Sequence, residues 1–316
     1  MVNVDVDRSA SGRRHGPRHT GGGRRWHRRW CFPDRARSTW AWARNSLRPR
    51  RLQLSRIMRE GPVEELTRTD ISQPAILLAS MMAHAALSER QGEPACAATG
   101  GLSLGEYTAL VVAGTIGFED ALRLVRVRGE AMQAAAEATE GGMVALIGTD
   151  EGGARALCEA VRGDQVLQVA NLNATGQVVI SGERSACERA VAEARAHRIR
   201  RAMPLPVAGA FHCPLMASAA TRLAAALEEV RFAVPRVPVY HNVTGAANTD
   251  PTVISDLLVR QLTEPVRWAD CLTAMQADGA DAFLELGPGK TISGMIARTL
   301  KDVSTAHVDT AADLAL

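Results

Sequence analysis

From about Glu60 to Leu300, apolar residues recur at helical and strand spacings in alternation, which predicts an α/β chain. "PVEELTRTDISQPAILLASMMAHAALSERQG" predicts a turn, an Asp/Ser cap region and a long, mostly apolar helix. "PACAATG" predicts a short buried strand running into "GLSLGEYTALVVAG", a tight turn that opens a helix, and "FEDALRLVRVRGEAMQAAAEA" predicts an amphipathic helix. The rhythm then changes. "MVALIG" predicts a strand, "GARALCEAVR" a helix, "VLQVANLNATGQVVISG" two strands around an Asn-Ala-Thr-Gly turn, "ERSACERAVAEARAHR" a helix and "IRRAMPLPV" a strand. That order, βαββαβ over residues 143–207, is the pattern of a ferredoxin-like module. Strands and helices alternate again through "VPVYHNVTG", "VISDLLVRQL", "PVRWADCLTAMQADG", "DAFLELGPG" and "TISGMIARTL". The expected organisation is a large α/β unit over 52–137 and 208–316, with a small subdomain, 138–207, inserted in it.

Composition narrows the class. Apolar residues make up 46% and charged residues 22%, as in ordinary globular enzymes. No run of eighteen apolar residues occurs, so no membrane partner is expected. Cys31, Cys96, Cys158, Cys187, Cys213 and Cys271 are scattered without ligand-like spacing, which points to free thiols in the cytoplasm and to no bound metal.

Charge is distributed unevenly. Sixteen of the 37 basic residues and three of the 34 acidic ones lie in residues 1–59, so that segment carries +13 and the rest of the chain −10. Nothing in the acidic remainder calls for a nucleic-acid partner. The basic head lacks the apolar core of a secretory signal. Its stretch "WCFPDRARSTWAWAR", residues 30–44, interleaves arginine with tryptophan, a composition that suits single-stranded nucleic acid.

Gly101-Leu102-Ser103-Leu104-Gly105 matches G-x-S-x-G between an expected strand and helix. A nucleophile there needs a sharp exposed turn, and small flanking residues let the backbone pass close. The following helix aims its N–H groups at the serine, where they can hold a developing oxyanion. A plain Gly/Ser turn at a helix start is the bland alternative, and the strand–turn–helix context favours the nucleophile. Serine needs a base. His15, His19 and His27 lie in the head, while His84, His197 and His307 read as structural or solvated. His212 in "GAFHCPLM" and His241 beside "NVTG" are the two candidates.

"GLSLGEYTAL", "RGEAMQ", "GAFHCPLM", "HNVTG", "QLTEPVRW" and "ELGPGKTISGM" stand in the order and spacing of malonyl-CoA:acyl carrier protein transacylases, a family this chain resembles over residues 60–300. The resemblance implies an α/β-hydrolase-like body with a parallel sheet and an inserted ferredoxin-like subdomain. It also implies ping-pong transfer of malonyl from coenzyme A, through an ester on Ser103, to the phosphopantetheine thiol of acyl carrier protein. No cofactor is implied, and a monomer is expected. By the same resemblance His212 is the base and the backbone carbonyl of Gln261 orients it. Arg128 is the clamp for the malonyl carboxylate, a role that the planar guanidinium fork suits. Phe211 narrows the acyl site against a methyl branch, Gln73 lines it, and the Leu104 N–H is one oxyanion donor. A serine esterase of G-x-S-x-G type would instead need an acid partner and no carboxylate clamp. A catalytically dead acyltransferase-like body is the remaining alternative.

Two departures stand out. Leu102 occupies a position where most of the family has histidine. More seriously, the family's opening strand and GQGxQ loop, which supply the second oxyanion N–H, are missing. Back-translating residues 26–43 with GC-rich codons and shifting the frame by two bases yields A-P-A-L-V-F-P-G-Q-G-A-Q-H-V-G-M-G, an apolar strand followed by that loop. Residues 1–51 are therefore expected to be an out-of-frame, disordered segment, leaving a gap or unpaired edge in the main sheet. Nucleotide sequencing across residues 26–44 is expected to find codons compatible with the shifted motif; incompatible codons would sink the frame reading.

Overall fold

The computed structural model describes Val2–Asp5 and residues 54–315. Its strands are β1 (Val2–Asp5), β2 (Ala98–Gly100), β3 (Gly141–Ile147), β4 (Leu167–Ala174), β5 (Gln177–Glu183), β6 (Arg201–Pro204), β7 (Val239–His241), β8 (Ala246–Asn248), β9 (Ala282–Leu286) and β10 (Ser304–Val308). Its helices are α1 (Leu54–Glu60), α2 (Val63–Leu66), α3 (Thr69–Gln91), α4 (Gly105–Val112), α5 (Phe118–Glu137), α6 (Glu151–Arg162), α7 (Arg184–Glu193), α8 (Ala217–Leu227), α9 (Ile254–Arg260), α10 (Trp268–Ala277) and α11 (Thr291–Thr299). The fold is mixed α/β.

The main sheet has the order β10-β9-β1-β2-β7-β8. It corrects two expectations. First, the sheet is not parallel throughout: β9–β10 and β2–β7 pair in parallel, but β8 folds back antiparallel on β7. The reason is local, because the four residues between His241 and Ala246 close a hairpin rather than a crossover. Second, no gap separates β9 from β2. Val2–Asp5 lies between them, antiparallel to both, so these four residues of the head belong to the sheet. The Arg/Trp stretch 30–44 lies outside the described residues. β10, parallel to β9, comes from a tail with no expected strand.

Helices wrap this sheet. In α5, Ala121, Leu122, Leu124, Val125, Arg128, Met132 and Ala135 are buried, a stripe at helical spacing, with Glu119 and Asp120 favourably placed in the first turn. The outward Arg126 pairs instead with Glu130, 2.9 Å away. α3 packs on α5 and on the sheet; by length and composition it could cross a membrane, but half of its apolar window is buried in the fold.

The second sheet, β4-β5-β3-β6, is antiparallel at every pairing. Strand alternation assigns its two faces. Val144 and Leu146 of β3 point into a core with Leu157 and Cys158 of α6 and Ala186 and Ala190 of α7. Met143 and Ala145 point the other way, where they join Val179, Ala170 and Phe211. β4 ties this unit to the body through Leu172 N–H to Val266 O and Val266 N–H to Ala170 O, each 2.8 Å.

Trp268 opens α10 fully buried among Tyr240, Val266, Cys271, Met275 and Phe283. Trp268→Ala removes the largest side chain of that cluster, and urea unfolding is expected to show a loss of about 3–5 kcal/mol. A loss under about 1 kcal/mol would mean that this cluster does not hold the end of the sheet.

Candidate active site

Ser103 lies three residues beyond β2, where the chain turns into α4. A Cβ on Gly101 would run into the Gly105 backbone, so the turn closes only with glycine there. Ser103 has φ +50° and His212 φ +58°, both in the left-handed region that non-glycine residues seldom occupy. Specific contacts hold these conformations. The Ser103 N–H donates to Asn242 Oδ1 (2.6 Å), and Asn242 Nδ2 donates to Gly101 O (2.8 Å). Gln168 of β4 donates to both His212 O and Thr263 O, at 3.1 Å each.

Ser103 and His212, 109 residues apart, meet at 3.0 Å between Oγ and Nε2. The other ring nitrogen of His212, Nδ1, lies 2.7 Å from the carbonyl oxygen of Gln261, the residue that ends α9. A carbonyl only accepts, so Nδ1 carries the proton and Nε2 is left to accept from the serine hydroxyl. Burial, and after it the charge of Arg128, lower the His212 pKa to about 4, against the raising effect of the Gln261 carbonyl. His212 is therefore neutral near pH 7 and able to take a proton.

Arg128 approaches the same serine from α5. It is 1% exposed, and its guanidinium donates to Ser103 Oγ (2.9 Å), Gln73 Oε1 (2.6 Å) and Gln261 Oε1 (2.8 Å). Gly129 allows this arrangement. A Cβ there would stand 2.8 Å from the Thr69 carbonyl, so α5 and the start of α3 approach closely enough for Gln73 to reach the arginine. Every one of these three acceptors is a neutral oxygen. The Arg128 carbon also lies 5.7 Å from the centroid of the Tyr107 ring, a cation–π distance. Burial lowers the Arg128 pKa, while Tyr107 and Glu106 oppose the shift. A buried guanidinium without a contacting carboxylate is a strong attractor for an anionic group.

The other expected site residues fall nearby. Leu104 stands at the N-cap of α4, and the N–H groups of Gly105, Glu106 and Tyr107 that follow it already bond to Leu102 O, Ser103 O and Leu104 O. Phe211 packs between the main core and the inner face of the small sheet. Leu102 packs with Ile292 and Met295 against the Trp268 cluster. His241 does not face Ser103 Oγ: its Nδ1 lies 2.6 Å from Glu106 Oε1 in a buried network. His84 faces Glu93 at 3.5 Å and His307 faces Asp313 at 3.2 Å, while His15, His19 and His27 lie outside the described residues. Among the described residues, no three His, Cys, Asp or Glu side chains gather as metal ligands. Sequence reasoning missed Glu106, Asn242 and Gln168. "GEY" and "HN" gave a weak hint, since each sets a polar residue amid apolar neighbours.

A serine in left-handed backbone that shares its oxygen with a histidine ring and a buried cation is an arrangement able to carry an acyl group. Residues 33–314 match the acyl transferase domain family, and the chain belongs to that family. It is 42% identical over 258 residues to the malonyl CoA-acyl carrier protein transacylase of Salmonella typhimurium, covering 82% of this chain and 83% of that protein. Among solved structures, an acyl-carrier-protein S-malonyltransferase from Burkholderia pseudomallei superposes with TM-score 0.83 at 37% identity, over 88% of this chain and 90% of that one. Another, titled as a type II PKS acyl-carrier protein in complex with its malonyl-transacylase, gives TM-score 0.79 at 39% identity, over 83% and 84%.

The position of Arg128 fixes the expected titration of the base. In histidine-labelled NMR, His212 is expected to titrate near pH 4, and Arg128→Met is expected to move that titration upward, because a nearby positive charge no longer opposes protonation. Titration at the ordinary value of about 6.5 in the parent would contradict the buried neutral base.

Proposed function

We propose that this chain is a serine acyltransferase that moves malonyl from malonyl-CoA to the phosphopantetheine thiol of acyl carrier protein. The observation that carries the reading is the sharing of one serine oxygen between a neutral imidazole, Nε2 at 3.0 Å, and a buried guanidinium, NH2 at 2.9 Å. In the first half-reaction, Ser103 Oγ gives its proton to His212 Nε2 and attacks the thioester carbonyl. The C–S bond breaks, and coenzyme A leaves as a thiol with the proton from His212. In the second, His212 takes the proton of the carrier's thiol, the sulfur attacks the Ser103 ester, and the proton returns to Oγ. Arg128 holds the distal carboxylate of the acyl group. The Leu104 N–H, at the start of α4, stabilises the oxyanion. The cycle is complete with these side chains and two thiol-bearing substrates, and it draws on no cofactor.

Two features weigh against a general esterase. The His212 Nδ1 partner is a backbone carbonyl rather than an acid. The guanidinium beside the nucleophile has no use for a neutral ester. Phe211, between the two cores, limits width beside the acyl group; a methylene's worth of crowding is typically about 1–3 kcal/mol of discrimination.

We read the finer architecture as an α/β-hydrolase-like body, 52–137 and 208–316, carrying a ferredoxin-like subdomain, 138–207. The strand–helix–strand–strand–helix–strand order and the antiparallel sheet β4-β5-β3-β6 support the second part. We read residues 1–51 as largely out-of-frame sequence standing where the family's strand and GQGxQ loop belong, the match to the family beginning only at residue 33, and we place the enzyme in the cytoplasm as a monomer.

The test is the intact mass of the purified chain after brief exposure to malonyl-CoA, beside Ser103→Ala. A malonyl-sized gain in the parent alone is the expected result. If the second oxyanion donor is missing, acylation should be slower by ~10²–10³, the usual loss for one such donor, and an in-frame "VFPGQGAQHVGMG" start should restore it. No gain in a folded chain, even with that start, would reject the assignment.

A further inference from the structure

Glu106 takes no part in the chemistry just described, yet it is 1% exposed directly behind the nucleophile. It is the second residue of α4, and its carboxylate collects three donors from elsewhere in the chain. Oε1 lies 2.6 Å from His241 Nδ1. Oε2 accepts from the Asn242 backbone N–H at 3.1 Å and from Gln261 Nε2 at 2.7 Å. The other ring nitrogen of His241, Nε2, is buried without a hydrogen-bond partner. An N–H at Nε2 would be stranded there, so the ring places its N–H at Nδ1, facing the Glu106 carboxylate.

That charge connects to one buried cation through a single side chain. Gln261 gives its Nε2–H to Glu106 and its Oε1 to Arg128, and Nε2 also lies 3.1 Å from Ser103 O. An amide's two ends are almost alike in shape, so its orientation is set by which neighbours donate and which accept. A carboxylate can only accept and a guanidinium can only donate. Together they permit one orientation of Gln261, with the carbonyl facing Arg128.

We propose that Glu106 is a positioning residue which locks the Gln261 amide and thereby aims Arg128, so that preference for a carboxylate-bearing acyl group depends on it. The inference rests on the malonyl reading of the site. Glu106→Gln keeps the shape and removes the charge. Its amide can turn either face to Gln261, so the charge-assisted hold on Nε2 is lost and only Ser103 O, at 3.1 Å, and Asn242 Oδ1, at 3.4 Å, still keep that end in place.

The test uses the full chain carrying Ser103→Ala, so that binding is read without turnover, and compares malonyl-CoA with acetyl-CoA by calorimetry. Ser103→Ala alone is expected to prefer malonyl-CoA by on the order of tenfold or more, through charge-assisted bonds to Arg128. Adding Glu106→Gln is expected to bring the two affinities within about threefold, with acetyl-CoA binding itself nearly unchanged. An intact preference, or an equal fall for both ligands, overturns the proposal, since a general packing defect would weaken both alike. If Glu106→Gln does not fold, Gln261→Leu serves instead. It retains Glu106 and the backbone carbonyl for His212 but removes the link, and a preserved malonyl preference in that variant also overturns the proposal. No preference in Ser103→Ala alone rejects the malonyl reading, and the positioning role with it.

Discussion

The buried guanidinium of Arg128 is the constraint around which the site is arranged. An unpaired charge at 1% exposure would cost several kcal/mol, so the fold must surround it with acceptors. Those acceptors arrive from three separate elements: Gln73 from α3, Gln261 from the end of α9 and Ser103 from the start of α4. Each of the three is thereby fixed relative to the others. The same cation depresses the basicity of His212 and donates to Ser103 Oγ. One charge thus acts at once on the basicity of the imidazole and on the serine oxygen, and in the proposed reaction it would also meet the acyl carboxylate.

Strain is the second theme, and it is met by neighbouring polar side chains. Left-handed backbone at Ser103 and His212 presents both functional atoms outward from tight turns, at a cost of the order of 1–3 kcal/mol each. Asn242 braces the serine turn on both sides of Leu102, while Gln168 binds the carbonyl of His212 and that of Thr263 together. Gln168 belongs to the small sheet, so the base is held partly by a unit that contributes no reacting group. This gives the small sheet a mechanical task at the site.

Much of this was legible in the sequence, for uneven reasons. Ser103 announces itself because strand, turn and helix adjoin it locally. Arg128 carried a signal that residue type alone obscures: it falls on the apolar stripe of Ala121, Leu124, Val125 and Met132, whereas Arg126 falls off it. Choosing His212 over His241 needed the family resemblance, because the two differ only in what lies across the fold from them. Glu106 looked like an ordinary first-turn acid at a helix start. Its burial depends on His241 and Asn242, more than 130 positions away in the chain, and no local pattern encodes that meeting. β10 and β8, the strand that folds back on β7, escaped notice because each is short and its pairing partner decides its existence.

The direction of β1 determines what the main sheet can offer the site. β2 runs toward the nucleophile and ends at Gly100, three residues before Ser103. β1 is antiparallel to it, with Val2 opposite Gly100 and Val4 opposite Ala98, so its first residues lie near the serine and its last point away. On its other side Asp5 stands opposite Ala282, at the start of β9, which confirms the same sense. The C-terminal end of β1, Asp5, therefore lies at the end of the sheet away from Gly100. A parallel strand in that slot would do the reverse, delivering its following loop beside Gly100, where backbone N–H groups could face the oxyanion. Four residues suffice to complete the hydrogen bonding between β9 and β2, and so to seal the sheet. Sealing the sheet and turning a strand's C-terminal end toward the active site are separate tasks, and the direction of β1 performs the first.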